Sequence, residues 1–334
     1  MAEQMSKLVK IPNMFMQLLN EYYKGHSTFL GGNLSAAMPV VPLPPRQPIN
    51  QSPRHVYAIR QTELDGLVRI PDHSGEDVIY ILRRTSQIVA SDRERVERLA
   101  VTLKFGTWIR EVASQVLLVY GDFGDPWRND VSALSLFVAM LAGSMASHNT
   151  KLFRPLVFFC GRHLNQTTEP TGGQAIVSSL VKQLLWQQIV DTRGLQFDIS
   201  TRKICEGELS ELCLLFSWLA RRVPPDVTVF CLVDGLVFYE RPEYADSAAF
   251  VLHHLLEMTR DTSISCIVKL LFTNPAPTTQ LRNHPAFRNG ENLINLAAVS
   301  LLNQGPSPQR FARELGNMME GTSSPSFSQP SPND

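Results

Sequence analysis

Residues 228–233 form a short apolar, β-branched run that stops at Asp234-Gly235. Such a run reads as a strand buried on both faces, as in a parallel sheet. An acid at the carboxyl end of such a strand stands where open α/β sheets place ligands, and a carboxylate there can hold a divalent cation. The plainer reading of the same residues is a strand closed by an Asp-Gly turn. Other chemistry-bearing groups are weaker. Glu240, Glu243 and Asp246 follow Asp234 and could complete an acidic metal site, although a loop after a strand accounts for them. His253 and His254 are adjacent, so on a helix they diverge by about 100°, whereas metal-binding pairs on a helix use i, i+4 spacing. Gly161-Arg162-His163 ends another apolar run with no nucleophile near it in sequence and reads as loop. Ser178 and Ser179 lack the Gly-x-Ser-x-Gly elbow of a hydrolase.

The elements that must position these residues alternate. Short apolar runs at 116–120, 155–160, 227–233 and 264–272 read as strands, with a last one at 292–298. Helical periodicity marks 132–145, 174–190, 208–221 and 247–259. The first of these is apolar almost all round and is expected to be buried. Strand alternating with helix at this spacing predicts an α/β fold with a doubly wound parallel sheet and helices on both faces.

Before this core the chain is less regular. Residues 14–23 suit a short amphipathic helix within an N-terminal segment 1–24. Six prolines and a Gly-Gly pair make 25–54 a linker. Its Pro42-Leu43-Pro44-Pro45-Arg46 could dock an SH3-like groove, but such runs are mostly spacers. Residues 55–90 are mixed, with short strands expected at 55–59 and 77–82. Residues 91–112 read as one long charged helix, capped by Ser91 with Glu94 three residues on. The Ser- and Pro-rich tail, 305–334, has too little apolar content to fold.

Composition narrows the function. Lys+Arg and Asp+Glu both number 31, so the chain has no broad electrostatic footprint for nucleic acid and no basic membrane anchor. The longest apolar segment, 131–146, is too short to cross a bilayer and is interrupted by serines. No apolar leader opens the chain, and its early residues do not suit a mitochondrial presequence. Cys160, Cys205, Cys213, Cys231 and Cys266 form no Cys-x-x-Cys and no zinc spacing with histidine. They read as small buried hydrophobes of a reducing, cytoplasmic compartment.

Over roughly residues 90–300 the order of features resembles the NACHT-like NTPase domain of fungal STAND proteins, the signal-transducing ATPases that include NOD-like and nephrocystin-like proteins. A strand runs into a turn and helix at 117–141. The run from Gly172-Gly173-Gln174 to Leu184-Leu185 is similar to the family's Gly-Leu-Leu-Arg-Ser-Leu-Leu helix. Phe230 to Leu236 resembles the Walker B strand, whose acid, here Asp234, holds Mg²⁺ in P-loop NTPases. Residues 267–275 resemble the later strand that ends Ser-Arg-Pro. The resemblance implies a P-loop-NTPase-like sheet in a domain spanning 91–304.

The catalytic positions depart from that pattern. A Walker A loop needs Gly-x₄-Gly-Lys-Ser/Thr so that backbone N–H groups, a cation and a hydroxyl meet phosphate and metal. Counting from Gly121, those last three places hold Pro126, Trp127 and Arg128. Proline removes a donor, tryptophan stands where a cation is needed, and Arg128 comes one place late. Gly124 still permits a tight turn, while Asp122, Asp125 and Asp130 would repel phosphate. Val237 and Phe238 stand where the family places an acidic pair, and Thr273-Asn274-Pro275 lacks the arginine.

The expectation is a non-catalytic pseudo-NTPase with no cofactor. It would act as a protein-interaction or regulatory module, pairing with itself or with an intact NTPase of the family, without nucleic acid or membrane. The alternative is an ATP- or GTP-binding protein in which Gly121, Gly124, Arg128 and Thr273 line a non-standard phosphate loop and Asp234 holds Mg²⁺. A third reading is an enzyme of unrelated chemistry using the strand-end crevice.

Overall fold

The computed structural model describes residue 17 and residues 61–298, except 69–71, 124–129, 148–151, 166–169, 188, 193–194 and 279. The expected helix at 14–23, residue 17 apart, the linker, the strand at 55–59 and the tail lie outside the described residues. The described residues from 61 to 297 belong to one compact unit, so the helical stretch at 61–90 packs with the rest.

Five strands make one parallel sheet: β1 (Gln115–Tyr120), β2 (Phe153–Phe159), β3 (Thr228–Asp234), β4 (Ile267–Asn274) and β5 (Leu293–Asn295). Their spatial order is β2-β3-β4-β1-β5. β3 and β4 are buried at every residue, as central strands covered on both faces must be.

Among the described residues the helices longer than four residues are α1 (Gln61–Leu67), α2 (Ser74–Arg83), α3 (Ala90–Leu99), α4 (Leu103–Arg110), α5 (Ala133–Ser147), α6 (Gly172–Trp186), α7 (Thr201–Glu206), α8 (Leu209–Ala220) and α9 (Pro242–Met258). α5 lies against β2, β3 and β4, with α2 and α3 over it, while α6, α8 and α9 pack together on the opposite face. There Ile176, Leu180, Phe216 and Val251 share a core with Leu156, Cys231 and Leu270. Gly173 permits the close approach of α6 to α9: a Cβ would stand 2.0 Å from the Ser247 carbonyl oxygen.

Two expectations are corrected here. Residues 77–82 are helix, within α2, not strand. The apolar run is too short for periodicity to decide, and just before the helix the Asp72 carboxylate accepts from Ser74 N–H at 3.0 Å. Ile79 and Leu82 are left exposed. Residues 91–112 are two helices, and the first begins at Ala90 without Ser91 as its cap. Thr102 divides them, donating to Leu99 O at 2.8 Å and accepting from Phe105 N–H at 3.3 Å.

Two details of the sheet matter below. β2 is an edge strand, and Gln183 of α6 covers part of that edge, accepting from Val157 N–H and donating to Val157 O, each at 2.8 Å. Near the amino end of the sheet Lys269 is fully buried. Its Nζ donates to Glu111 O at 2.6 Å and to Gln115 Oε1 at 3.3 Å. Burial pushes the ammonium down to about 7, opposed only in part by the Glu111 charge. Among the described residues no helix is long and apolar enough to cross a membrane.

Candidate functional site

Right-handed crossovers fix where a ligand crevice should lie. The β1-to-β2 connection runs in one direction along the sheet and the later connections run back. α5 therefore covers one face, and the helices after β2 and β3 cover the other. The turns after β4 carry Leu281 and Phe287 into the core shared with α6, α8 and α9. The chain thus leaves β1 and β4, which are neighbours, toward opposite faces. That divergence is the switch point at which open α/β sheets bind ligands.

In this molecule the mouth is drawn together. Gly121 N–H donates to Asn274 O and Phe123 N–H to Pro275 O, both at 3.1 Å. The Phe123 ring lies over Gly121, where a Cβ would stand 2.1 Å from it. Arg95 of α3 donates to Asp122 O at 2.9 Å and holds the same stretch from outside. Asn274, in the place of the family's arginine, is fully buried and turns its Oδ1 to Val237 N–H at 2.8 Å. Its short amide supports the turn after β3; its Nδ2 has no partner among the described residues.

β3 ends at Gly235, whose φ of +75° makes the turn. Asp234 is in register with Thr273 on β4 and is 3% exposed. Its Oδ1 accepts from Thr273 Oγ1 and its Oδ2 from Ser135 Oγ, each at 2.6 Å. Burial pushes the Asp234 carboxyl up to about 6, although the bonds from Ser135, Thr273 and Gly235 favour its ionised form. Ser135 sits in the first turn of α5. It is fixed by a reciprocal pair in which Ser132 N–H donates to Ser135 Oγ and Ser135 N–H to Ser132 Oγ, both at 3.0 Å.

Of the residues expected in a nucleotide site, Asp234 and Thr273 are brought into contact. Gly121 lines the drawn-in mouth, and Gly124 and Arg128 lie outside the described residues. Ser135 is the hydroxyl that sequence reasoning missed. Counting from Gly121 puts the hydroxyl place at Arg128, whereas the helix does not start until Ala133. Two serines three apart before an apolar run are a cap signature that could have found it. The position before Ser135 holds Leu134, fully buried, where a phosphate-binding lysine would be needed.

The described residues do not fit a magnesium nucleotide. A cation at Asp234 would have to displace Ser135 or Thr273 from an almost solvent-free carboxylate. Among the described residues no group of three His, Cys, Asp or Glu is placed to hold a metal, so Asp234, Glu240, Glu243 and Asp246 do not converge. His254 instead pairs with Ser217 Oγ at 2.7 Å. Burial pushes the thiols of Cys160, Cys213, Cys231 and Cys266 up, away from reactive thiolate. Comparison with protein-family models, with curated proteins and with solved structures found no match to this chain.

Proposed function

We propose that this chain is a non-catalytic pseudo-NTPase with a P-loop-NTPase-like sheet, acting as a protein-interaction or regulatory module in the cytoplasm. The observation that carries the reading is the state of Asp234. In P-loop NTPases the loop hydroxyl and the Walker B acid together hold Mg²⁺. Here Ser135 and Asp234 bond each other directly, and Thr273 takes the second oxygen. A constellation that would serve a metal instead joins α5 to β3 and β4. The order of strands and the resemblance over residues 90–300 support the finer fold, and five free thiols suit a reducing compartment. The module would then act through its surface, on a protein partner that is another copy or an intact relative.

The test is a melting curve with and without millimolar ATP or GTP and Mg²⁺. A ligand at about 100 times its Kd stabilises a fold by about 2.7 kcal/mol. No shift is expected, and no phosphate release. A Mg²⁺-dependent shift lost in Asp234→Asn would overturn the reading and favour a nucleotide-binding protein.

A further inference from the structure

A cavity of about 800 Å³ lies elsewhere, outside the carboxyl end of β2. Small-molecule sites typically run ~300–1,000 Å³. Its wall comes from α2, the residues just after it, and the turn that follows β2, and includes His73, Tyr80, Arg83, Arg84, Arg162 and His163.

This wall is built, and its acids are already occupied. Asp77 is 5% exposed; its Oδ2 lies 2.7 Å from His163 Nε2 and its Oδ1 accepts from Arg162 Nε at 3.4 Å. Asp130 accepts from Tyr80 Oη at 2.9 Å and from Arg162 NH1 at 2.8 Å, and its other oxygen lies 3.5 Å from Arg84 NH1. The Arg162 guanidinium stands 3.6 Å and that of Arg84 4.2 Å from the Tyr80 ring centre. The His163 ring stacks on Phe158 at 4.9 Å. Two carboxylates thus fix two guanidiniums and a tyrosine.

The donors left over are cationic. Arg162 NH2 and the whole guanidinium of Arg83 have no partner among the described residues, and Arg84 has used one nitrogen. The remaining acid on the wall, Glu76, has a side chain 83% exposed and lies 3.4 Å from His73. A planar guanidinium that keeps donors free while the rest of it is locked is suited to bidentate capture of an oxyanion. We propose that this cavity binds a small molecule through a phosphate or carboxylate group, with Arg83, Arg84 and Arg162 as its donors. Asp77, Asp130 and Tyr80 act as positioning residues that hold the arginines.

The experiment is calorimetry and melting of the full chain with inorganic phosphate, pyrophosphate and citrate, each against sodium chloride of equal ionic strength. Saturable binding to at least one probe is expected. It should weaken at least tenfold in Arg83→Gln combined with Arg84→Gln, and stay unchanged in Arg260→Gln, a surface arginine elsewhere. Preference for the phosphates or for citrate identifies the group. Arg83 has no partner among the described residues, so Arg83→Gln alone keeps the test available if the double variant unfolds, with threefold or greater weakening expected. No saturable binding, a shift equal to that of sodium chloride, or unchanged affinity in the variants would overturn the proposal.

Discussion

Two strand ends on one edge of the molecule behave differently. At the end of β3 an acid meets two hydroxyls and is sealed from solvent. At the end of neighbouring β2 acids, arginines and aromatic rings surround an open cavity. Both are carboxyl ends of parallel strands, the usual location for chemistry in such sheets. The difference follows from depth. β3 is central, and α5 delivers Ser135 onto it, so both oxygens of Asp234 find their partners inside the protein. β2 is the edge strand, so its end meets water on one side and can leave donors unspent. A topological position proposes a site, but burial decides whether its groups are free to act.

The comparison can be broken at its sealed end first. Asp234→Ala strands the Ser135 and Thr273 hydroxyls and should cost roughly 2–4 kcal/mol in urea unfolding without any nucleotide. A carboxylate kept only for metal would leave stability unchanged in that experiment. Asp234→Asn keeps the shape and removes the charge. Because the folded carboxyl is held near 6, above the ordinary ~3.9, ionised Asp234 costs stability at neutral pH. That cost is relieved as pH falls from 6 toward 4. The asparagine variant should therefore melt at or above the parent at pH 7.5 and lose that advantage by pH 4.5.

Lys269 sharpens the same contrast, since it too is a charge in the sealed centre. Its folded value near 7 lies below the unfolded value of ~10.4. The unfolded chain thus binds the extra proton between those limits, and stability should rise with pH from 7 to 10. Lys269→Met should stabilise by roughly 2 kcal/mol at pH 7 and flatten that rise; a destabilised variant would mean the ammonium is well paired after all. The smallest effect belongs to the open end. Arg162→Gln breaks a partly exposed network and should cost about 1 kcal/mol, less in high salt. A loss above about 3 kcal/mol would mark the network as core rather than as a wall of free donors.

Much of the frame was legible in the sequence. The four main strands announce themselves as short β-branched runs between turn residues, and their alternation with helices gives the parallel class. Asp234 is legible as an acid at a strand end. Its neighbours are not, because the register of β3 on β4 sets Thr273 beside it and the packing of α5 supplies Ser135, 99 residues away. The cavity was hidden for the same reason: Asp77 and His163 are 86 residues apart and meet only because α2 packs near the end of β2. The apolar run at 78–82 misled because five residues do not separate strand from helix.

An edge strand usually presents a row of free N–H and C=O groups on which another chain can copy itself. At β2 that row is blunted. Pro155 has no N–H, its carbonyl accepts from Gln187 at 3.0 Å, and Val157 spends both groups on Gln183. Gln183 of α6 and Gln187 just after that helix stand in for the next strand along this stretch. A partner or a fibril that borrows a strand finds the middle of β2 already spent.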